Sequence, residues 1–459
     1  MEINLQLLTI QNPWWADKSF KYDPILDTYT ERELKWQSDI LSKVDFGTDK
    51  IYSIQGPRGV GKTTVQKLLI KDLIDRQKIN PVNVFYYSCG NINTYEQLNE
   101  LIKSFIHWRR GKNHSNEERL YIIIDEITLV KDWRKGISFL REAEMLDNAS
   151  LLLFGSSFSK GDKNVQVQVM SSLSFREFVK LVNPDLYSKI RERRDYEVSQ
   201  GKLGYYLDIY FLTGGFISAI NEFKERGAVS EDIYNNYLYW LIADLAKMGR
   251  DVILFRQIVE KIITSMGQLI GYTNLVTNTK ARTHSTAAGY VDILESLFAI
   301  KAIYQRGANG EPSKSKAKKI YFQDPFLFWV FYSHIYGSQN SWQFSRERLH
   351  HEEVFDHLVE NVVFSQLIKT RRIEDWDSRV TYWRDNVRKR DIDFIVKKGF
   401  KEIPILVRYN KEISAQDKKV FEQAGFDMGV IITSNKLELH GKVKYVPLMY
   451  FLLYHKDLL

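Results

Sequence analysis

Short, wholly apolar runs alternate with longer stretches of helical period through the first third of the chain. Residues 51–53 form an apolar run that leads into a glycine loop at Gly56. Residues 63–75 follow, with Val65, Leu68, Leu69 and Leu73 at helical spacing. Residues 84–87, 120–124 and 150–154 predict three more buried strands, and residues 95–108 predict a helix between the second and third. Unbroken apolar strands alternating with helices imply a parallel sheet covered on both faces.

The pattern then changes. Residues 174–223 read as helical, interrupted by Thr213-Gly214-Gly215, and residues 234–249 as another helix. Residues 253–304 read as several short helices, including 285–297, followed by a strand near 298–304. This order predicts a compact helix-turn-helix or winged-helix module. Residues 307–319 contain Gly, Pro, Ser and four lysines and read as a basic loop, hairpin tip or linker. A helix over 359–368 precedes strands at 380–383, 392–396, 403–407 and 429–433, and 445–453 reads as a strand and final helix. No internal repeat is visible.

Composition narrows the class. A chain of 459 residues with 44% hydrophobic and 14% aromatic residues buries several cores. Lys and Arg total 65 against 57 for Asp and Glu, a net charge of +8. That excess permits contact with nucleic acid, DNA or RNA, or with an anionic membrane, without requiring either. The one cysteine, Cys89, excludes an intramolecular disulfide and a Cys-based metal cage, and its apolar neighbours predict a core thiol. Residues 1–10 do not read as a signal peptide, and the most apolar segment, 325–336, is shorter than the roughly 18 residues a membrane span needs. A cytoplasmic protein with no membrane contact is expected.

The chemistry is densest at Gly56-Pro57-Arg58-Gly59-Val60-Gly61-Lys62-Thr63-Thr64. Gly56, Gly59 and Gly61 let the chain wrap a phosphate with its N–H groups turned inward, and the following helix adds its positive end. Lys62 spans the β- and γ-phosphates as a point charge, and the Thr63 hydroxyl is placed for Mg²⁺. Asp125 ends an apolar strand, at the sheet edge where α/β ligands bind, and is expected to hold magnesium through water. Glu126 is expected to orient and deprotonate the attacking water. Ser156, after the next strand, either senses the γ-phosphate or is a turn serine or helix cap. Arg58 either reaches phosphate or a neighbouring subunit, or stays in solvent. ATP and Mg²⁺ are the expected ligands, with Lys62, Asp125 and Glu126 as catalytic residues.

Further strings extend the picture. They include Gln11-Asn12-Pro13-Trp14-Trp15, Asp125-Glu126-Ile127-Thr128 with Asp132-Trp133, and Gly155-Ser156-Ser157. Leu173-Ser174-Phe175-Arg176-Glu177-Phe178, Leu212-Thr213-Gly214-Gly215-Phe216 and Lys247-Met248-Gly249-Arg250 follow. The last are Thr283-His284-Ser285-Thr286-Ala287-Ala288-Gly289-Tyr290 with Leu294-Glu295-Ser296-Leu297, Phe322-Gln323-Asp324-Pro325-Phe326, and Asp391-Ile392-Asp393-Phe394-Ile395. With these strings the chain resembles the archaeal ATPase group within the AAA+/STAND-like P-loop proteins. The resemblance implies a P-loop NTPase core over residues 1–180, a helical lid over 181–230, a winged-helix module over 231–320 and an α/β domain like Holliday-junction resolvases and other PD-(D/E)XK nucleases over 321–459. It also implies that Gly214 and Gly215 lie near the nucleotide, and that Gln11 to Trp15 pack near the adenine or the lid, although core packing is the plainer reading of Trp14 and Trp15. Relatives often carry an arginine-rich stretch after Ser157. Here Gly161-Asp162-Lys163-Asn164-Val165 stands instead, which removes an arginine finger and leaves Arg176, where a structural role is expected.

A nuclease of that kind needs a helix acid, a strand Asp and then Glu-X-Lys on the next strand. Glu360 and Asp393 fit the first two positions. Leu406 and Arg408 stand at the third; leucine offers no oxygen and arginine stays protonated. A catalytically degenerate nuclease-like domain follows, unless Asp385, Asp391 or Glu402 compensates. Asp393 is otherwise an ordinary carboxylate paired with Arg388 or Arg390. Lys369, Arg371, Arg372, Arg384, Arg388, Lys389, Arg390, Lys397 and Lys398, interleaved with Tyr382 and Trp383, form a candidate phosphate-tracking surface. Two functions therefore compete: a nucleic-acid-associated ATPase, and an ATP-gated protein-interaction switch of the STAND kind. Either one admits a protein partner or an oligomer.

Overall fold

The computed structural model describes residues 5–17, 23–111, 118–158, 164–191, 195–281, 283–337, 339–369 and 380–458. The chain divides into two compact units, residues 1–171 and 172–459.

The first unit is built on a five-stranded, all-parallel sheet. Its strands are β1 (Ile51–Gln55), β2 (Val84–Ser88), β3 (Leu120–Asp125), β4 (Ala149–Gly155) and β5 (Val165–Val169), in the order β2-β3-β4-β1-β5. The apolar runs fall in β1 to β4 as expected, because central parallel strands bury both faces. The sequence pattern missed β5. Its Val-Gln alternation suits a half-buried edge strand and is too short to stand out.

At the opposite edge, β2 is covered by the N-terminal segment. Both Trp14 and Trp15 donate their indole N–H groups to the Val84 carbonyl at 3.0 Å. The Asn12 side chain bonds both the N–H and the carbonyl of Tyr86 at 2.7 and 2.9 Å, and the Gln11 side chain accepts from Ser88 N–H. Side-chain amides and indoles thus satisfy an edge that would otherwise be open to pairing. Trp15 stacks on Trp108 at 4.1 Å between centroids, beside Phe105 and Phe85. Core packing is the observed role of both tryptophans. Cys89 is a buried thiol, and burial pushes its pKa up.

The second unit opens with helices and closes on a mixed seven-stranded sheet. Its strands are β6 (Ile300–Arg306), β7 (Pro312–Phe322), β8 (Val380–Asp385), β9 (Arg390–Lys398), β10 (Lys401–Val407), β11 (Gly429–Thr433) and β12 (Val443–Pro447). The order is β12-β11-β10-β9-β8-β6-β7. The β6–β7 hairpin, expected to belong with a winged-helix module, is continuous with the C-terminal strands through Gln305 and Tyr382. Most of the basic stretch 307–319 is strand: only its start forms the hairpin turn, and β7 begins at Pro312. The apolar segment 325–336 is the helix Pro325–Tyr336, largely buried within the unit. Among the described residues, no helix is long and apolar enough to cross a membrane.

Three of the quoted strings meet at Asp324. Its carboxylate accepts from Phe326 N–H, Gly215 N–H, the Ser172 hydroxyl and the Lys369 ammonium, at 2.6 to 3.0 Å. Gly214 has φ +55°, and a Cβ there would overlap the Asp324 side chain. Lys369 also donates to the Leu173 carbonyl and the Tyr210 hydroxyl. Burial pulls the Lys369 pKa down, but Asp324 and Tyr210 more than offset it, so the ammonium stays charged. Arg176 donates to the Leu453 carbonyl at 3.1 Å, a structural role as expected. The Gly161–Lys163 part of the stretch lacking arginines lies outside the described residues.

Candidate nucleotide site

The loop 56–61 joins β1 to the helix Lys62–Lys71, so the loop and the helix N-terminus lie together at the C-terminal end of β1. Gly59 and Gly61 adopt φ +78° and +92°, values that glycine reaches without strain. Gly56 lies against the Met170 carbonyl, where any Cβ would collide. Val60 is buried beneath the loop, while Arg58 and Thr64 are half-buried and Pro57 is buried. The helix expected over 63–75 forms: the α-helix Lys62–Lys71 continues as a π-helical turn over Asp72–Arg76.

Lys62 is buried and donates to the Gly56 and Pro57 carbonyls, each at 2.9 Å. Burial pulls its pKa down to about 8, opposed by the nearby Glu126 and Asp125 carboxylates. The Thr63 hydroxyl donates to Asp125 Oδ2 at 3.2 Å. Asp125 is buried at the end of β3, and burial raises its pKa. An alcohol and a carboxylate oxygen this close form a hard-oxygen pair suited to Mg²⁺.

Glu126 follows directly in the left-handed region, at φ +54°, with its N–H bonded to Asp125 Oδ1 at 2.9 Å. Its carboxylate is held at both oxygens: Arg58 donates to Oε1 at 3.1 Å and the Ser156 hydroxyl to Oε2 at 2.8 Å. Thus Lys62, Thr63, Asp125, Glu126, Arg58 and Ser156, read separately from the sequence, converge on one site. The sequence reading did not anticipate that Arg58 and Ser156 meet on Glu126. Tyr86, whose hydroxyl lies 3.5 Å from Asp125 Oδ2, was also missed; it sits inside an apolar strand and carries no motif.

The second candidate centre also assembles, with a different membership. Glu360 and Asp393 approach each other through Lys319 of β7, which no motif indicated. Leu406 is buried in the apolar core, and Arg408 pairs with Asp393 at 3.5 Å and Asp417 at 2.9 Å. Asp393 therefore pairs with Lys319 and Arg408 rather than with Arg388 or Arg390. Of the compensating acids, only Asp391 joins the group, at 3.3 Å from Lys319. Asp385 caps the β8–β9 turn through Val387 and Arg388 N–H, and Glu402 forms a bidentate pair with Arg306.

The basic surface is smaller than its sequence suggested. Lys369 is committed to Asp324, Lys318 lies buried over the Tyr272 ring, and Lys397 pairs with Glu311. Tyr382 is buried, so it offers no ring for a base. Arg371 and Arg372 lie outside the described residues.

Residues 48–179 match the family described as "AAA domain". Residues 205–331 and 355–451 match two families described only as domains of unknown function, DUF8612 and DUF4143. An uncharacterized protein of Haemophilus influenzae is 24% identical over 364 residues, covering 77% of this chain and 80% of that protein. Among solved structures, the Aeropyrum pernix ORC1 protein in complex with DNA has a TM-score of 0.30 at 14% identity, covering 62% of this chain and 86% of that one. The Aeropyrum pernix ORC2 protein has a TM-score of 0.31 at 15% identity, covering 68% and 92%. The Thermotoga maritima RuvB branch-migration motor has 0.28 at 13%, covering 55% and 81%. The phosphate loop and the Asp125–Glu126 pair both lie within the stretch 48–179 that matches the AAA domain family, and the five-stranded parallel sheet around them is a P-loop NTPase fold.

Proposed function

We propose that the protein binds ATP with Mg²⁺ and hydrolyses it, in association with nucleic acid, while its C-terminal region is a nuclease-like domain that does not cut. The convergence of Lys62, Thr63, Asp125 and Glu126 at the end of β1 and β3 carries the ATPase reading. The loop amides and Lys62 bind the phosphates. Thr63 and Asp125 would hold the magnesium ion, which neutralises phosphate charge when bound. Glu126 accepts the proton of the attacking water. Arg58 and Ser156 hold its oxygens, so Arg58 releases Glu126, or turns to the phosphate, before that step.

The helices over 231–296 followed by the β6–β7 hairpin support a winged-helix-like module. Exposed Lys389 and Lys398 support contact with a phosphate backbone. The burial of Lys318, Lys319 and Lys369 favours the second reading, an ATP-gated protein-interaction switch, because those charges are not available to DNA. ATP turnover of wild type and Lys62→Ala, each with and without duplex and single-stranded DNA, separates the readings. DNA-stimulated turnover lost in Lys62→Ala supports the first; Lys62-dependent turnover indifferent to DNA supports the second. Turnover unchanged by Lys62→Ala overturns the ATPase assignment.

A further inference from the structure

Lys319 reaches inward from β7 to a point where three carboxylates meet. Its Nζ lies 2.9 Å from Asp393 Oδ1, 3.3 Å from Glu360 Oε1 and 3.3 Å from Asp391 Oδ2, and its side chain is 2% exposed. Glu360 comes from the helix Glu352–Lys369 and the two aspartates from β9, so the three acids belong to two elements and the cation to a third. The free oxygen of Asp393 is also engaged: Oδ2 accepts from Val407 N–H at 2.9 Å and faces Arg408 Nη1 at 3.5 Å. Tyr321 donates its hydroxyl to Glu360 Oε1. The group lines a cavity of 460 Å³.

The nuclease resemblance implies a divalent metal at Glu360 and Asp393, and the residues present do not fit one. The carboxylate oxygens converge on an ammonium already within bonding distance. A divalent ion among them would sit beside two fixed cations, Lys319 and Arg408, whose charges repel it. Leu406 supplies no oxygen where the next ligand is needed. As they stand around Lys319, at 2.9 to 3.3 Å from Nζ, the acids are spaced for an ammonium, and among the described residues no group of three or more His, Cys, Asp or Glu is arranged to hold a metal ion. Protonation is consistent with this. Burial pulls the Lys319 pKa down, but Asp393, Glu360 and Asp391 raise it further, so the ammonium is retained.

We propose that the Lys319 ammonium is the resident cation of this acidic site: it takes the position a divalent ion would occupy, so the C-terminal sheet is assembled without metal and does not bind Mg²⁺ or Mn²⁺ there. A side chain tethered to β7 does what a metal would do for convergence. It offsets part of the charge of the three acids and ties the β6–β7 hairpin to β9 and to the helix Glu352–Lys369. The inference deepens the reading of the C-terminal region as one that does not cut. No nucleic acid enters its test, so a cleavage assay and this titration fail separately.

The test is Mn²⁺ titration calorimetry on the full nucleotide-free chain, as wild type, Asp393→Asn and Lys319→Met. Comparison with Asp393→Asn removes any Mn²⁺ held by the phosphate-loop residues. Wild type is expected to show no Mn²⁺ site that Asp393→Asn abolishes. Lys319→Met leaves three converged acids without a cation; it is expected to gain a 1:1 Mn²⁺ site at least about tenfold tighter than any in wild type, with a melting temperature that rises on adding Mn²⁺. A 1:1 wild-type site lost in Asp393→Asn overturns the proposal, as does a folded Lys319→Met that gains no metal. The wild-type and Asp393→Asn comparison stands even if Lys319→Met fails to fold.

Discussion

Replacing Asp324 with alanine removes the acceptor on which Ser172, Gly215, Phe326 and Lys369 converge. The Lys369 and Asp324 side chains are 4% and 2% exposed, so water does not reach them readily. Stranding one member of such a buried ion pair costs about 3–5 kcal/mol. Loss of the helix cap at Phe326 adds about 1 kcal/mol. A total of about 4–6 kcal/mol is a large part of a domain's net stability. For a unit spanning residues 172–459 it corresponds to a fall in melting temperature of about 7–10 °C. Calorimetry of the full chain reads this as a shift of one transition. Asp324→Ala combined with Lys369→Met is expected to recover part of the loss, since the stranded charge is gone. The reasoning is refuted if Asp324→Ala melts within about 2 °C of wild type, or if the double variant is no better than the single one.

Two further outcomes concern the nucleotide site. Glu126→Gln is expected to retain ATP binding while single-turnover hydrolysis falls about 10²–10⁴-fold, because the amide cannot accept the water's proton; a drop in affinity with unchanged turnover would assign Glu126 to binding. Lys62 binds phosphate in its charged form, and in the nucleotide-free protein it loses that charge as pH rises through about 8. ATP affinity is therefore expected to weaken about tenfold between pH 7 and 9. Equilibrium titration with a non-hydrolysable analogue checks this, and a flat profile would mean that Lys62 is not the titrating contact.

The phosphate loop and its acidic partner are local objects. A strand, six loop residues and a helix are contiguous, and Asp125-Glu126 comes at the end of an apolar strand, so pattern and residue type suffice to find them. The same holds for the central strands β1 to β4, whose two buried faces demand unbroken apolar runs. Departures appear where polar residues are bound by distant partners. The half-buried edge strand β5 carries too little periodicity to register, and the capping of β2 by Asn12, Trp14 and Trp15 is side-chain chemistry with no sequence period.

By itself, then, the sequence determined the phosphate-binding loop, the acids that face it and the alternation that makes a parallel sheet, because each depends on neighbours a few residues away. Tertiary structure alone decided the fate of the buried charges. Lys319 lies 41 residues from Glu360 and 74 from Asp393 in the chain, and reads as one lysine in a basic stretch. Lys369 likewise meets Asp324 only after 45 residues of intervening chain. Whether a lysine faces solvent or replaces a metal depends on which carboxylates the fold brings within 3.3 Å of it, and no local pattern of residues carries that distance.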